Sequence, residues 1–107
     1  MSASDDSNET PRSLTVEDFE PLVGTVFTAR HGDFEDRLTL VSATPSSRAP
    51  AEGFRQAFSL IFDGIRDDAM ITNIIEIDHP VMGARMLTPS PIGHSKTGGF
   101  RYEIVFS

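Results

Sequence analysis

FRQAFSLIFD, residues 54–63, and FRYEIVF, residues 100–106, are the stretches that decide the fold. In the first, Phe54, Phe58, Leu60 and Phe62 share one phase of a two-residue period, with Gln56 the only polar member. In the second, Phe100, Tyr102, Ile104 and Phe106 alternate with Arg101, Glu103 and Val105. Successive side chains of a strand point to opposite faces, so this spacing predicts two β-strands, each burying an aromatic face.

The same period extends to both sides. Thr25–Arg30 and Arg37–Ala43 read as a hairpin around His31, Gly32 and Asp33, with Leu38 and Leu40 on one face of the second arm. Ile71–Asp78 places Ile71, Ile75 and Ile77 together, and Ala84–Thr88 follows a turn at His79–Gly83. Residues 44–53 and 89–99 are rich in Pro, Gly and Ser and read as loops. Six strands predict an all-β, mainly antiparallel barrel or sandwich. One short helix precedes them. Thr15 and Asp18 have the spacing of a capping box, and Leu14 and Phe19 that of a hydrophobic staple. Glu17, Asp18 and Glu20 complement the positive end of the helix, and Pro21 and Gly24 end it. Residues 1–12 are acidic and without apolar period, which predicts a disordered tail before a single β domain over 13–107.

Composition narrows the function. The chain has 107 residues, 38% of them hydrophobic, which suits one domain with one core. There is no cysteine, hence no disulfide, thiolate nucleophile or Cys-bound zinc. The formal charge is −7, and the one lysine is Lys96, so the clustered cations that nucleic acid demands are missing. No apolar run reaches the roughly 18 residues of a membrane span. The opening Met1–Arg12 has neither the basic nor the apolar part of a secretory signal. The expectation is a cytoplasmic protein, or one assembled onto an extracellular particle without a cleaved signal.

Chemistry-bearing motifs are sparse. His31, His79 and His94 form no HxxxH or HExxH pair. Only a topology that gathers His31, Asp33, Asp78 and His79 at one end would offer a cation site. Asp67-Asp68 and Asp78-His79 are acid–base candidates by type, but Asp is expected in turns for its backbone hydrogen bonds. No GxSxG, GxGxxG or GxxxxGK[ST] occurs, and Gly98-Gly99 reads as a turn into the last strand. Phe100 and Tyr102 could stack bases, yet their alternation is that of a core strand. No catalytic, metal or cofactor-binding residue is assigned, and no cofactor is expected.

What remains is a set of apolar residues in apparent loops: Phe34, Met70, Val81, Met82 and Ile92. They either plug the ends of a barrel or form a partner-binding surface. The segments LTVEDFEPLVGTVF, FSLIFDG, HPVMG, PIG and YEIVF together resemble a small, mostly β bacterial domain family of unknown function, from about Leu14 to Ser107. Arg48–Gly53 does not align with that pattern. The resemblance implies an accessory role beside phage-tail-collar or tail-fibre-like proteins, and it carries no catalytic residues. The expected function is a non-catalytic protein–protein interaction or assembly module, with a neighbour-encoded partner or self-association. The alternatives are a small-ligand-binding β-barrel or a metal-dependent enzyme using the histidines.

Overall fold

The computed structural model describes residues 14–48, 56–69, 74–96 and 98–106. The acidic opening, Phe54 and Ile71 lie outside the described residues.

Helix α1, Val16–Phe19, continues into a 3-10 turn, Glu20–Leu22, that contains Pro21. Its start is the expected capping box: the Thr15 backbone N–H donates to Asp18 Oδ2 at 2.8 Å. Leu14 and Phe19, the two staple residues, are both buried in the core. Gly24 takes φ 92°, a conformation that favours glycine, and its N–H donates to the Leu40 carbonyl at 2.7 Å. That bond ties the end of the helical segment to the sheet.

The sheet has seven strands: β1 Val26–His31, β2 Phe34–Pro45, β3 Phe58–Asp63, β4 Ile75–His79, β5 Gly83–Leu87, β6 Ser90–His94 and β7 Phe100–Phe106. Their order is β5-β4-β1-β2-β3-β7-β6, and every neighbouring pair is antiparallel. The sheet is open, with β5 and β6 as its edges. This corrects the expected strand count of six. The added strand, β6, lies in the segment read as a loop. All five of its residues are exposed, so it has no one-sided apolar phase, and Pro91 and Gly93 interrupt its register. The first hairpin also closes more tightly than expected. His31 pairs with Phe34, leaving the two-residue turn Gly32-Asp33 with Gly32 at φ 59°.

One face of the sheet carries the core. Registers place Phe27 beside Leu38, Leu40 beside Phe62, Leu60 beside Ile104 and Ala29 beside Ile77, and all eight are buried. The only helical segments among the described residues are α1 and its 3-10 turn, so full burial of this face requires the sheet to curl around it. Phe19 caps one end of the trough. Its ring lies 5.9 Å from that of Phe58 and 5.7 Å from that of Phe106, which stack on each other at 4.5 Å. At the other end Asp36, 1% exposed, receives the N–H groups of Arg37, Ile65 and Arg66 on Oδ1. This carboxylate takes over where the β3 ladder ends and pins the segment after Asp63. Ser95 continues the seam: its Oγ donates to the Gly64 carbonyl and accepts from the Gly99 N–H.

Candidate partner-binding groove

The β4–β5 turn is built on His79. The Val81 N–H donates to His79 Nδ1 at 3.0 Å, which makes Nδ1 the unprotonated nitrogen. Nε2 then carries the proton and donates to Thr25 Oγ1 at 3.0 Å, while the Thr25 hydroxyl donates to the Leu22 carbonyl at 2.6 Å. The ring is buried and packs 4.4 Å from the Phe27 ring. His79 therefore links the turn to the helical segment, and both nitrogens are committed to that link.

The link brings together residues about 60 positions apart. Leu14, Pro21 and Leu22 from the helical segment face Val81 and Met82 from the turn across a groove of about 330 Å³, with Asp18 and Arg85 also on its walls. Met82 packs against the core, and Val81 is 78% exposed. Asp18 is turned to Thr15 in the capping box. Arg85 sits on β5 opposite the core residue Ile77, so it lies on the core-facing side of the sheet. It is half-buried, and among the described residues it makes no hydrogen bond or ion pair.

Of the apolar residues singled out from sequence, the structure brings Val81 and Met82 together in this groove. Phe34 is instead the first residue of β2, and the Arg66 guanidinium covers its ring at 4.4 Å from the centroid. Asp68 holds Arg66 in a bidentate pair at 2.7 and 2.8 Å. That hydrogen bonding raises the Arg66 pKa and lowers that of Asp68. Ile92 lies in β6 at the opposite edge of the sheet and is half exposed. Met70 lies outside the described residues. Pro21 reads from sequence only as a helix stop, and Leu22 and Arg85 are unremarkable in their own stretches; all three join the groove only through the fold.

The histidines stay apart. The pairing of Thr28 with Asp78 sets His79 level with Phe27, roughly 13 Å along β1 from His31. His94 lies on β6 against the Phe100 ring. The one-end convergence of His31, Asp33, Asp78 and His79 is therefore not what the topology builds. No group of three or more His, Cys, Asp or Glu among the described residues is placed to hold a metal ion. Tyr102 is fully buried, so it offers no stacking platform. No helix among the described residues is long and apolar enough to cross a membrane.

Fold and groove together define a class: a curled, open antiparallel sheet with a groove at one end that is mainly aliphatic and carries Asp18 and Arg85 on its walls. The chain belongs to the family described as a domain of unknown function, DUF6916, whose model matches residues 14–106. No curated protein and no solved structure matches it.

Proposed function

We propose that this chain is a non-catalytic protein-interaction module that receives an apolar segment of a partner protein in the groove between the helical segment and the β4–β5 turn. The observation that carries this reading is the position of Val81, largely exposed over a groove walled by Leu14, Pro21, Leu22 and Met82. An exposed aliphatic residue beside a preformed apolar wall is what a protein contact uses. Filling of the trough by side chains such as Leu38, Leu40, Leu60 and Tyr102 favours it over a ligand-binding barrel, because the space a ligand would take is occupied. Commitment of His79 to Thr25 and Val81 favours it over histidine-based metal chemistry. The phage-tail or extracellular-fibre setting implied by the sequence resemblance is the context we assign to such a module.

The test compares the immobilised chain with its Val81→Asp variant against the products of adjacent genes. A product retained by the wild type and released by the variant supports the reading. Strict monomerity at high concentration together with no retained product removes it.

A further inference from the structure

The two edges of the sheet differ in a way that selects one of them for pairing. An edge strand presents every second N–H and C=O outward, and natural edges are protected by proline, bulges or charge. Edge β6 is protected. Pro91 has no N–H to offer, and the register shifts between Pro91 and Gly93. Edge β5 is not. It runs in unbroken register from Gly83 opposite His79 to Leu87 opposite Ile75, without proline or bulge, and it begins at the wall of the groove. On its outer face Met86 is 63% exposed. On its inner face stands Arg85, half-buried and, among the described residues, without an acidic partner.

Charge then selects the occupant. In an antiparallel pair, residues directly opposite share a face. A second copy pairing through β5 about a two-fold axis sets Arg85 opposite its own counterpart, or opposite Gly83 or Leu87 of that copy. The strand GARML holds no carboxylate, so none of these registers neutralises the guanidinium. Asp18, the acidic residue on the groove, is already engaged at the helix cap. We infer that β5 is a strand-addition site for a foreign extended segment that carries an Asp or Glu on the face meeting Arg85 and an apolar residue for the adjoining groove. The backbone ladder gives this contact its geometry and Arg85 gives it selectivity. The inference rests on the interaction reading above and names its partner chemistry.

The experiment selects a random peptide library against the immobilised full chain. Enriched peptides are expected to alternate apolar residues with a carboxylate on one face. They should slow amide hydrogen exchange within Gly83–Leu87 and leave Ser90–His94 unchanged. Arg85→Gln should weaken a selected peptide about tenfold, the scale of one partly screened charge pair. Arg85→Glu should turn the selection toward Lys and Arg. Near-UV circular dichroism of Tyr102 verifies that each variant is folded. Peptides without acidic preference, affinity indifferent to Arg85, or protection at β6 would overturn strand addition. If Val81→Asp still abolishes their binding, the interaction reading survives that result. Failure to enrich any peptide at either the groove or β5 sinks both. A dimer that forms through β5 in sedimentation would replace the foreign strand with a second copy. Neutralising Asp5, Asp6 and Glu9 and gaining about tenfold in peptide affinity would replace it with the chain's own opening segment.

Discussion

Asp36 and Gly64 are shaped for each other. A Cβ built on Gly64 runs into the Asp36 carboxylate and lies 3.2 Å from Leu38 Cδ2. Gly64 does not take a left-handed φ, so its reason is space rather than conformation. Gly64→Ala should therefore destabilise the fold by about 1–3 kcal/mol through overpacking. Asp36→Ala should also be costly, about 1–3 kcal/mol, because three backbone N–H groups lose their acceptor. The double variant relieves the clash, so it should be less damaged than the sum of the singles, with coupling of about 0.5–3 kcal/mol in urea unfolding. Strict additivity would mean that the two residues do not meet. Asp68 makes a second residue-scale test. Its bidentate hydrogen bond to Arg66 lowers its pKa, so the pair's support is present above the ordinary carboxylate range and is lost as pH falls through the lowered value. A carboxyl NMR titration should place Asp68 below an ordinary aspartate, and Arg66→Gln should return it to the ordinary range. Both groups are solvent-exposed, so the expected stability effect is small. Release of Arg66 from the Phe34 ring in acid is the clearer readout.

At the scale of elements, what was legible in the chain followed one-sided burial. Strands β3 and β7 announce themselves because Phe58, Leu60, Phe62, Tyr102 and Ile104 lie on the core face. Helix α1 announces itself by its capping box, a device local to four residues. Strand β6 is silent, since an edge strand exposed on both faces leaves no period to read. The groove was half legible. Val81 and Met82 stood out as apolar residues in a turn, but Pro21, Leu22 and Arg85 join them only through β4–β1 pairing and the His79–Thr25 bond. Long-range partners of this kind have no signature in a single sequence. The helix is also an energetic part of the core. Phe19→Ala removes a ring that closes the trough over Phe58 and Phe106, and it should cost about 3–5 kcal/mol in urea unfolding. A loss below about 1 kcal/mol would show that α1 only rests on the sheet, since that is the range of surface substitutions.

For the whole molecule, the core is one continuous cluster from Leu14, Val16 and Phe19 at the helical end to Ile75, Ile77 and Tyr102 within the sheet. The sheet alone does not guarantee unity, because each strand's ladder bonds join it only to its neighbours in the order β5-β4-β1-β2-β3-β7-β6. Cross-strand contacts beyond the ladder supply it: Phe27 on β1 meets Phe62 on β3 edge-to-face at 5.3 Å. The bidentate Arg101–Asp63 pair clasps β7 to β3 on the outer face, at 2.7 and 3.0 Å, and raises the Arg101 pKa. A domain unified in this way should unfold in one cooperative step. The composition provides a clean probe. Tyr102 is the single tyrosine, there is no tryptophan, and its ring is fully buried in β7. Its near-UV signal reports the β3–β7–β6 half, whereas far-UV dichroism reports the entire sheet. The two urea transitions should coincide. Val26, Thr28 and Arg30 of β1 tie the other half in through β2, so Phe27→Ala should shift both transitions together by about 3–5 kcal/mol of stability. A tyrosine transition that stays in place while the far-UV curve moves would mean that the β5-β4-β1 half unfolds by itself. In that case the groove at its end would open independently of the core.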